Sequence, residues 1–370
     1  MTAPPLEATT ASTARIDGRE LIVFGGCNYL GLAQHSRVLD AARDALGRFG
    51  LSASASRETT GNAAVHSELE AAMAAYCGFG SGLLVPDGYI ANLAAVQGLT
   101  ALGVRHAAID ERAHASLFDA ARMGGLEIGT YGHLDAGHAG RLIGGFDGPA
   151  AVLTDSVFAA DGVVAPLPGL VGALRGEDRI VVDDCHGFCV LGDRGRGAVD
   201  AAGLDDGRIV MTTTLAKGLG CGGGMVLSGA ETIRSARTHS TAYVCTTPVS
   251  PALAGGALEA LRLMASEAGL FERLRMNASR VAAVLGEAGL GEHDADVPVF
   301  AFTAGDADAM QALHRAAWDA GVWMPLVAYP GGPAPVYFRL AVTASHTAGQ
   351  IERLGDVLRA ALGALKGVVR

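Results

Sequence analysis

Short apolar runs recur along this chain without polar alternation: Leu83-Leu84-Val85, Ala107-Ala108-Ile109, Ala151-Val152-Leu153, Ile180-Val181-Val182, Ile209-Val210-Met211 and Met225-Val226-Leu227. A strand with one wet face alternates between apolar and polar residues, whereas a strand covered on both faces does not. Helical periodicity with charged partners lies around these runs, at 66–77 and 113–123. Strands of this kind among helices specify an α/β fold with a mainly parallel central sheet sandwiched by helices. A chain of 370 residues that is 50% hydrophobic has ample material for such a core.

After Pro251 the pattern changes to long helical segments at 250–267 and 270–287. These are followed by the run Pro298-Val299-Phe300-Ala301-Phe302, a helix over about 306–320, a strand over 336–342 and a last helix over about 347–365. That order predicts a smaller α+β C-terminal domain. The expected division is an N-terminal arm and small segment (1–45), a large domain (46–248) and the small domain (249–370), with residues 1–14 a loose arm.

The mean hydropathy of +0.30 raises the question of membrane spans. The best candidate, residues 88–104, contains Asn92, Gln97 and Thr100 and is punctuated by Gly98 and Gly103, so it reads as a buried helix. The aliphatic surplus is mostly Ala and Gly, which suits helices packed closely on a sheet. With 28 basic against 38 acidic residues and no basic run, a nucleic-acid backbone is not an expected partner. Irregularly spaced cysteines and no leader over residues 1–22 read as reduced thiols of a cytoplasmic protein.

The chemistry concentrates after two of the apolar runs. Lys217 follows the β-prone segment 208–214 and precedes a glycine-rich stretch, Gly218 to Gly224, where backbone can approach a ligand closely. Asp183 closes the run that ends at Val182, and His186 follows it by three residues. An amine can hold an aldehyde cofactor as a Schiff base, and a carboxylate against a pyridine nitrogen keeps that nitrogen protonated. Together these residues call for pyridoxal 5'-phosphate, with His186 near the ring hydroxyl.

Gly218-Leu219-Gly220-Cys221-Gly222-Gly223 also satisfies G-x-G-x-x-G. An apolar run rather than a helix follows it, so the dinucleotide reading is set aside. Asp183, Asp184 and His186 match no structural zinc spacing. Ligands in such sheets bind beyond the strands' carboxyl ends, which brings in two further segments. Gly88 and Tyr89 open a helix whose amides could hold a phosphate, and His114 could lie flat on the ring.

The motifs Asn28-Tyr29-Leu30-Gly31-Leu32, Ser56-Arg57, residues 61–70, Gly88-Tyr89-Ile90-Ala91-Asn92, His114-Ala115-Ser116-Leu117, Val157-Phe158-Ala159-Ala160-Asp161-Gly162, residues 183–187, Thr214 to Lys217 and Arg339 to His346 occur in this order. In that order the chain resembles the α-oxoamine synthases over nearly its whole length after the arm, as a divergent member. The resemblance implies the fold-type-I transferase architecture of pyridoxal phosphate enzymes, as in aspartate aminotransferase. It also implies condensation of a small amino acid (Gly, Ala or Ser) with an acyl thioester, from acyl-CoA or an acyl-carrier protein, with decarboxylation to an α-aminoketone.

Carried over by position, Lys217 bonds the cofactor and acts as general base, Asp183 pairs with the ring nitrogen, His186 contacts the ring hydroxyl and His114 stacks on the ring. Gly88, Tyr89 and Thr214 hold the phosphate. Thr246 and Thr247 reach it from the other subunit of a homodimer, and Arg339 with Asn28 takes the substrate carboxylate.

Two positions depart from the family pattern. Ala159 stands where members commonly carry a serine whose hydroxyl helps hold the cofactor, a bond worth about 1 kcal/mol net. Met324 stands where several members carry an arginine. Two other readings accompany the acyltransferase: an aminotransferase or aldolase-type lyase on the same cofactor, and a non-catalytic partner subunit. Lys217→Ala is expected to lower turnover by at least about 10²-fold, the scale of one positioned proton-transfer group. Full activity in that variant would overturn the enzymatic reading.

Overall fold

The computed structural model describes residues 4–368; of the expected arm, residues 1–3 lie outside the described residues, as do 369–370 at the other end. From Ala8 the arm is not loose. Strands β1 (Ala8–Thr9), β2 (Thr13–Ile16) and β3 (Arg19–Val23) form an antiparallel meander, and β3 pairs in parallel with β12 (Val322–Trp323). The correction has a local cause. Asp17 and Gly18, with φ of 49° and 69°, make the two-residue turn that Asp-Gly favours between right-twisted strands. Ala14, Ile16 and Leu21 are then buried.

The chain divides into two compact units, Met1–Gln34 with Ala160–Gly162 and Glu267–Arg370, and His35–Ala159 with Val163–Ser266. The first residues thus group with the C-terminal ones, through β3 and β12. The helix Pro251–Ser266 belongs to the larger unit, where Gly255 allows it to approach the helix Ser36–Phe49: a Cβ there would lie 2.7 Å from Ala45 Cβ.

The larger unit is built on β4 (Ser81–Val85), β5 (His106–Asp110), β6 (Glu127–Tyr131), β7 (Ala150–Asp155), β8 (Arg179–Asp183), β9 (Ile209–Thr214) and β10 (Gly224–Ser228), in the order β4-β10-β9-β8-β7-β5-β6. All neighbours among β5 to β9 are parallel, and only β10 runs against its neighbours, β4 and β9. The mainly parallel α/β sheet is as expected.

Alternate residues of one strand point to opposite faces. Ala151 and Leu153 of β7 accordingly enter one apolar core, Ala150 and Val152 the other. The edge strand β6, Glu127-Ile128-Gly129-Thr130-Tyr131, escaped the sequence reading because only its last residue is buried.

The helix Gly88–Ala101 contributes Ala91, Leu93, Ala94, Ala95, Val96 and Leu99 to the first of these cores. Gly98 explains why it is rich in small residues: a Cβ there would meet Ala236 backbone at 2.9 Å, so only glycine lets the helix Ala230–His239 lie this close. Among the described residues no helix is long and apolar enough to cross a membrane.

In the smaller unit β11 (Val299–Phe302), β14 (Tyr337–Ala341) and β13 (Leu326–Val327) form an antiparallel sheet in that order, joined by the helices Gly269–Glu287, Ala307–Asp319 and Ala348–Val368. Phe24, Phe300, Phe338 and Leu354 share its core. His346 stacks on Phe24 at 4.6 Å and its Nε2 meets the Val23 carbonyl at 3.1 Å; burial pushes its pKa down to about 4.

One buried charge centre ties four segments of the larger unit. Glu70 receives both arms of Arg57, the Leu84 amide of β4 at 2.8 Å and Arg237 at 3.1 Å. The Arg57 side chain is only 2% exposed. Glu70→Ala would leave that guanidinium buried and unpaired, a loss of about 3–5 kcal/mol. Urea unfolding is expected to show it; a change below about 1 kcal/mol would mean that the pair is not an anchor.

Candidate active site

Because β4 runs against β10, and β10 against β9, β4 points the same way as the parallel strands. The carboxyl ends of β4, β5, β7, β8 and β9 therefore share one edge of the sheet, the edge at which open α/β sheets bind ligands. A cavity of about 230 Å³ opens there. Of the residues singled out in the sequence, Gly88, Tyr89, His114, Asp183, His186, Thr214 and Lys217 all line it, and Ala159 does too.

Lys217 lies on the loop between β9 and β10. Hydrogen bonds from Leu215 N to Gly223 O (2.8 Å) and from Cys221 N to Leu215 O (2.9 Å) fold this loop on itself. The Lys217 Nζ lies 2.7 Å from His186 Nε2, within hydrogen-bond distance. The close of the loop explains one glycine: a Cβ on Gly224 would sit 2.0 Å from Asp87 O, so the turn that opens the helix Gly88–Ala101 could not dock on β10.

That turn presents backbone donors. Asp87 Oδ1 caps the helix by accepting from Ile90 N at 2.8 Å. The amides of Gly88 and Tyr89, one turn too early for an intrahelical acceptor, stand at the cavity. The Tyr89 hydroxyl is occupied by Asp119 Oδ2 at 2.6 Å. Thr214 Oγ1 accepts from Ala216 N at 3.2 Å.

Carboxylates crowd the ends of β7 and β8, where Asp155 and Asp183 are paired neighbours. Asp183 Oδ2 accepts from Asn92 Nδ2 at 2.7 Å, and Oδ1 from Cys185 N at 3.1 Å. Asp155 accepts the His114 amide at 2.7 Å; burial first, and Asp183 second, hold its carboxyl well above the usual carboxylate range. His114 Nδ1 lies 2.6 Å from Ser116 Oγ, Ser116 Oγ takes Asn92 Nδ2 at 2.8 Å, and Thr212 Oγ1 donates to Asn92 Oδ1 at 2.5 Å. Burial lifts the Cys185 thiol well above its ordinary value.

Four of the expected residues are not in this lining. Thr246 Oγ1 donates to Ala242 O at 2.8 Å and Thr247 is exposed on the following loop. Asn28 and Arg339 belong to the smaller unit, where Asn28 Nδ2 donates to Gln34 Oε1 at 3.1 Å and Arg339 contacts the Tyr29 hydroxyl. Met324 is fully buried in that unit's core.

Sequence reasoning missed Asn92, Ser116, Asp155 and Thr212 as site residues. Two signals were present: an amide buried in an apolar helix, and an Asp closing an apolar run in the same way as Asp183.

Asp184 sits behind the cavity, taking Ser156 Oγ on one oxygen and Ala198 N (3.0 Å) on the other. Burial pushes its pKa from 3.8 to about 7. Between about pH 4 and 7 the folded state therefore holds a proton that the unfolded state has released. Stability falls as pH rises through that window, by up to ~1.4 kcal/mol per pH unit for one proton. Asp184→Asn, with Ser156 turned to accept, is expected to remove this slope from cofactor-free protein. His346, whose lowered value gives the opposite slope, is common to both proteins and cancels. Parallel pH–stability curves for the two would overturn the assignment.

The lining offers an amine, a carboxylate, imidazoles and paired amides at a helix start, the set that suits an aldehyde, a ring nitrogen, a ring face and a phosphate. Comparison with known proteins points the same way. The sequence profile of the family Aminotransferase class I and II matches residues 19–358. The 8-amino-7-oxononanoate synthase of Thioalkalivibrio sulfidiphilus is 33% identical over 359 residues, 95% of this chain and 91% of that one. That of Aromatoleum aromaticum is 34% identical, covering 95% and 92%.

Among solved structures, a serine palmitoyltransferase from S. paucimobilis with a bound PLP-myriocin aldimine superposes with a TM-score of 0.90 at 26% identity, covering 99% of this chain and 93% of that one. The 8-amino-7-oxononanoate synthase of Francisella tularensis shares the fold, with a TM-score of 0.78 at 20% identity over 94% and 99% of the two chains. With pyridoxal 5'-phosphate as its cofactor and a fold-type-I architecture, this chain belongs to the α-oxoamine synthase family of C-acyltransferases, within the class I and II aminotransferases.

Proposed function

We propose that this chain condenses glycine, alanine or serine with an acyl thioester, releasing the thiol and carbon dioxide and leaving an α-aminoketone, in the manner of the 8-amino-7-oxononanoate synthases. The observation that carries this reading is the gathering of Lys217, Asp183, His186 and His114 around one cavity. When bound, pyridoxal phosphate supplies an electron sink for the negative charge that develops on the amino acid's α-carbon.

The residues divide the remaining work. Lys217 Nζ would hold the cofactor's aldehyde carbon and, as a free amine, would take and return the α-proton of the amino acid. His186, 2.7 Å from that amine, orients it and would contact the cofactor's ring hydroxyl. Asp183 would pair with the ring nitrogen, and His114 would cover the ring and polarise the acyl carbonyl. The amides of Gly88 and Tyr89 with the Thr214 hydroxyl hold the phosphate at the helix start.

Thr246 and Thr247 serve the partner's phosphate in a cytoplasmic homodimer, and Arg339 with Asn28 receives the substrate carboxylate. Burial of Met324 in apolar surroundings supports an acyl group that is not held by an arginine at that position.

Thiol release by cofactor-loaded protein, measured for Gly, Ala and Ser against short, dicarboxylic and long acyl-CoAs, tests the proposal. Release that needs both substrates, confined to one amino-acid row, is the expected result. Silence throughout, with turnover of an amino acid in the absence of any thioester, would instead identify an aminotransferase or lyase. Silence restored by an acyl-carrier protein would change the donor and leave the reaction.

A further inference from the structure

We propose that Asn92 is a positioning residue that sets the tautomer of His114 from the Asp183 carboxylate, so that both ring-facing groups are held by one amide. Its consequence for turnover rests on the function proposed above; the structural claim does not.

Asn92 Nδ2 donates to Asp183 Oδ2 at 2.7 Å, which fixes the orientation of the amide with its NH₂ group towards the carboxyl. The second N–H of that group goes to Ser116 Oγ at 2.8 Å, and Oδ1 is left to accept from Thr212 Oγ1. Ser116 Oγ keeps one proton to give after accepting from Asn92, and His114 Nδ1, an acceptor for the Ser116 amide, lies 2.6 Å away to take it. The Ser116 amide also donates to Nδ1, at 3.3 Å. A ring nitrogen that receives two donors carries no proton, so the proton of the neutral imidazole sits on Nε2.

Asn92 and Ser116 are both buried, at 0% and 1% exposure, so water does not compete for these bonds. His114 is open at the cavity wall, and its Nε2–H is a donor for a carbonyl oxygen that enters. Thr212 lies on β9, Asp183 on β8, Asn92 on the helix after β4 and Ser116 on the helix after β5. The relay thus joins four elements, and a shift of the Asp183 carboxylate is felt at His114 through three hydrogen bonds, Asp183 to Asn92, Asn92 to Ser116 and Ser116 to His114, rather than through the cofactor.

The test is a long-range ¹H–¹⁵N correlation spectrum of full-length, cofactor-loaded protein labelled at histidine nitrogens, with His114 assigned from its loss in His114→Asn. The wild type is expected to show Nδ1 unprotonated and Nε2 protonated. Asn92→Leu is expected to mix the His114 tautomers and to move the visible absorption of bound pyridoxal phosphate, because Asp183 loses a donor. Ser116→Ala is expected to mix the tautomers and leave that absorption in place, while Ser116→Thr, which keeps the hydroxyl, preserves both.

If thiol release is found, Asn92→Leu is expected to lower kcat roughly 10- to 100-fold with little change in KM. A protonated Nδ1 in the wild type overturns the proposal, as does an unchanged tautomer in folded Asn92→Leu. If Asn92→Leu does not fold, the Ser116→Ala and Ser116→Thr pair decides: identical His114 spectra for the two overturn it. An enzyme inactive towards every acyl donor, yet showing the expected tautomers, would refute the function and leave this relay standing.

Discussion

The site depends on carboxyl groups sunk at the end of a buried sheet. Asp155, Asp183 and Asp184 occupy or follow the last positions of β7 and β8, where every neighbouring strand residue is dry. Unpaired acids there would cost several kcal/mol each, so the surrounding protein is arranged to satisfy them. Asn92 and the Cys185 amide serve Asp183, the His114 amide serves Asp155, and Ser156 with the Ala198 amide serves Asp184. Each of these donors comes from a different segment, and the demand for them draws the loops around the cavity into place.

Close packing makes that arrangement possible. Gly224 lets the Asp87 turn touch β10, and Gly98 lets two helices meet at backbone distance. The small-residue surplus in the composition is therefore a requirement of the geometry as well as a source of hydrophobicity.

Much of the larger unit could be read in the residues, because strands dry on both faces announce themselves as unbroken apolar runs: β5 and β7 to β10 each contain one. Lys217 and Asp183 were legible for a chemical reason, an amine and an acid each placed after such a run. What escaped was what pairing alone creates. Asp155 becomes a neighbour of Asp183, and Thr212 another, only when β7, β8 and β9 align in register. Asn92 looked like an interruption of an apolar helix until that helix was laid across β8. Edge strand β6 and the β1–β2–β3 meander, half wet or very short, carry too little apolar pattern to stand out, although the Asp17-Gly18 turn was a usable signal.

The position of β10 has a consequence for how the chain acquires its site. The Lys217 loop joins adjacent antiparallel strands and closes locally, whereas β4 reaches β10 from far upstream, the longest-range pairing in that sheet. Closing so long a loop costs more conformational entropy than closing the local β9–β10 turn, and long-range pairings of this kind slow folding. The amine on the β9–β10 loop and the helix-start amides of Gly88 and Tyr89 face each other only once β4 is seated on β10, so a complete cofactor cradle marks a chain whose sheet has closed.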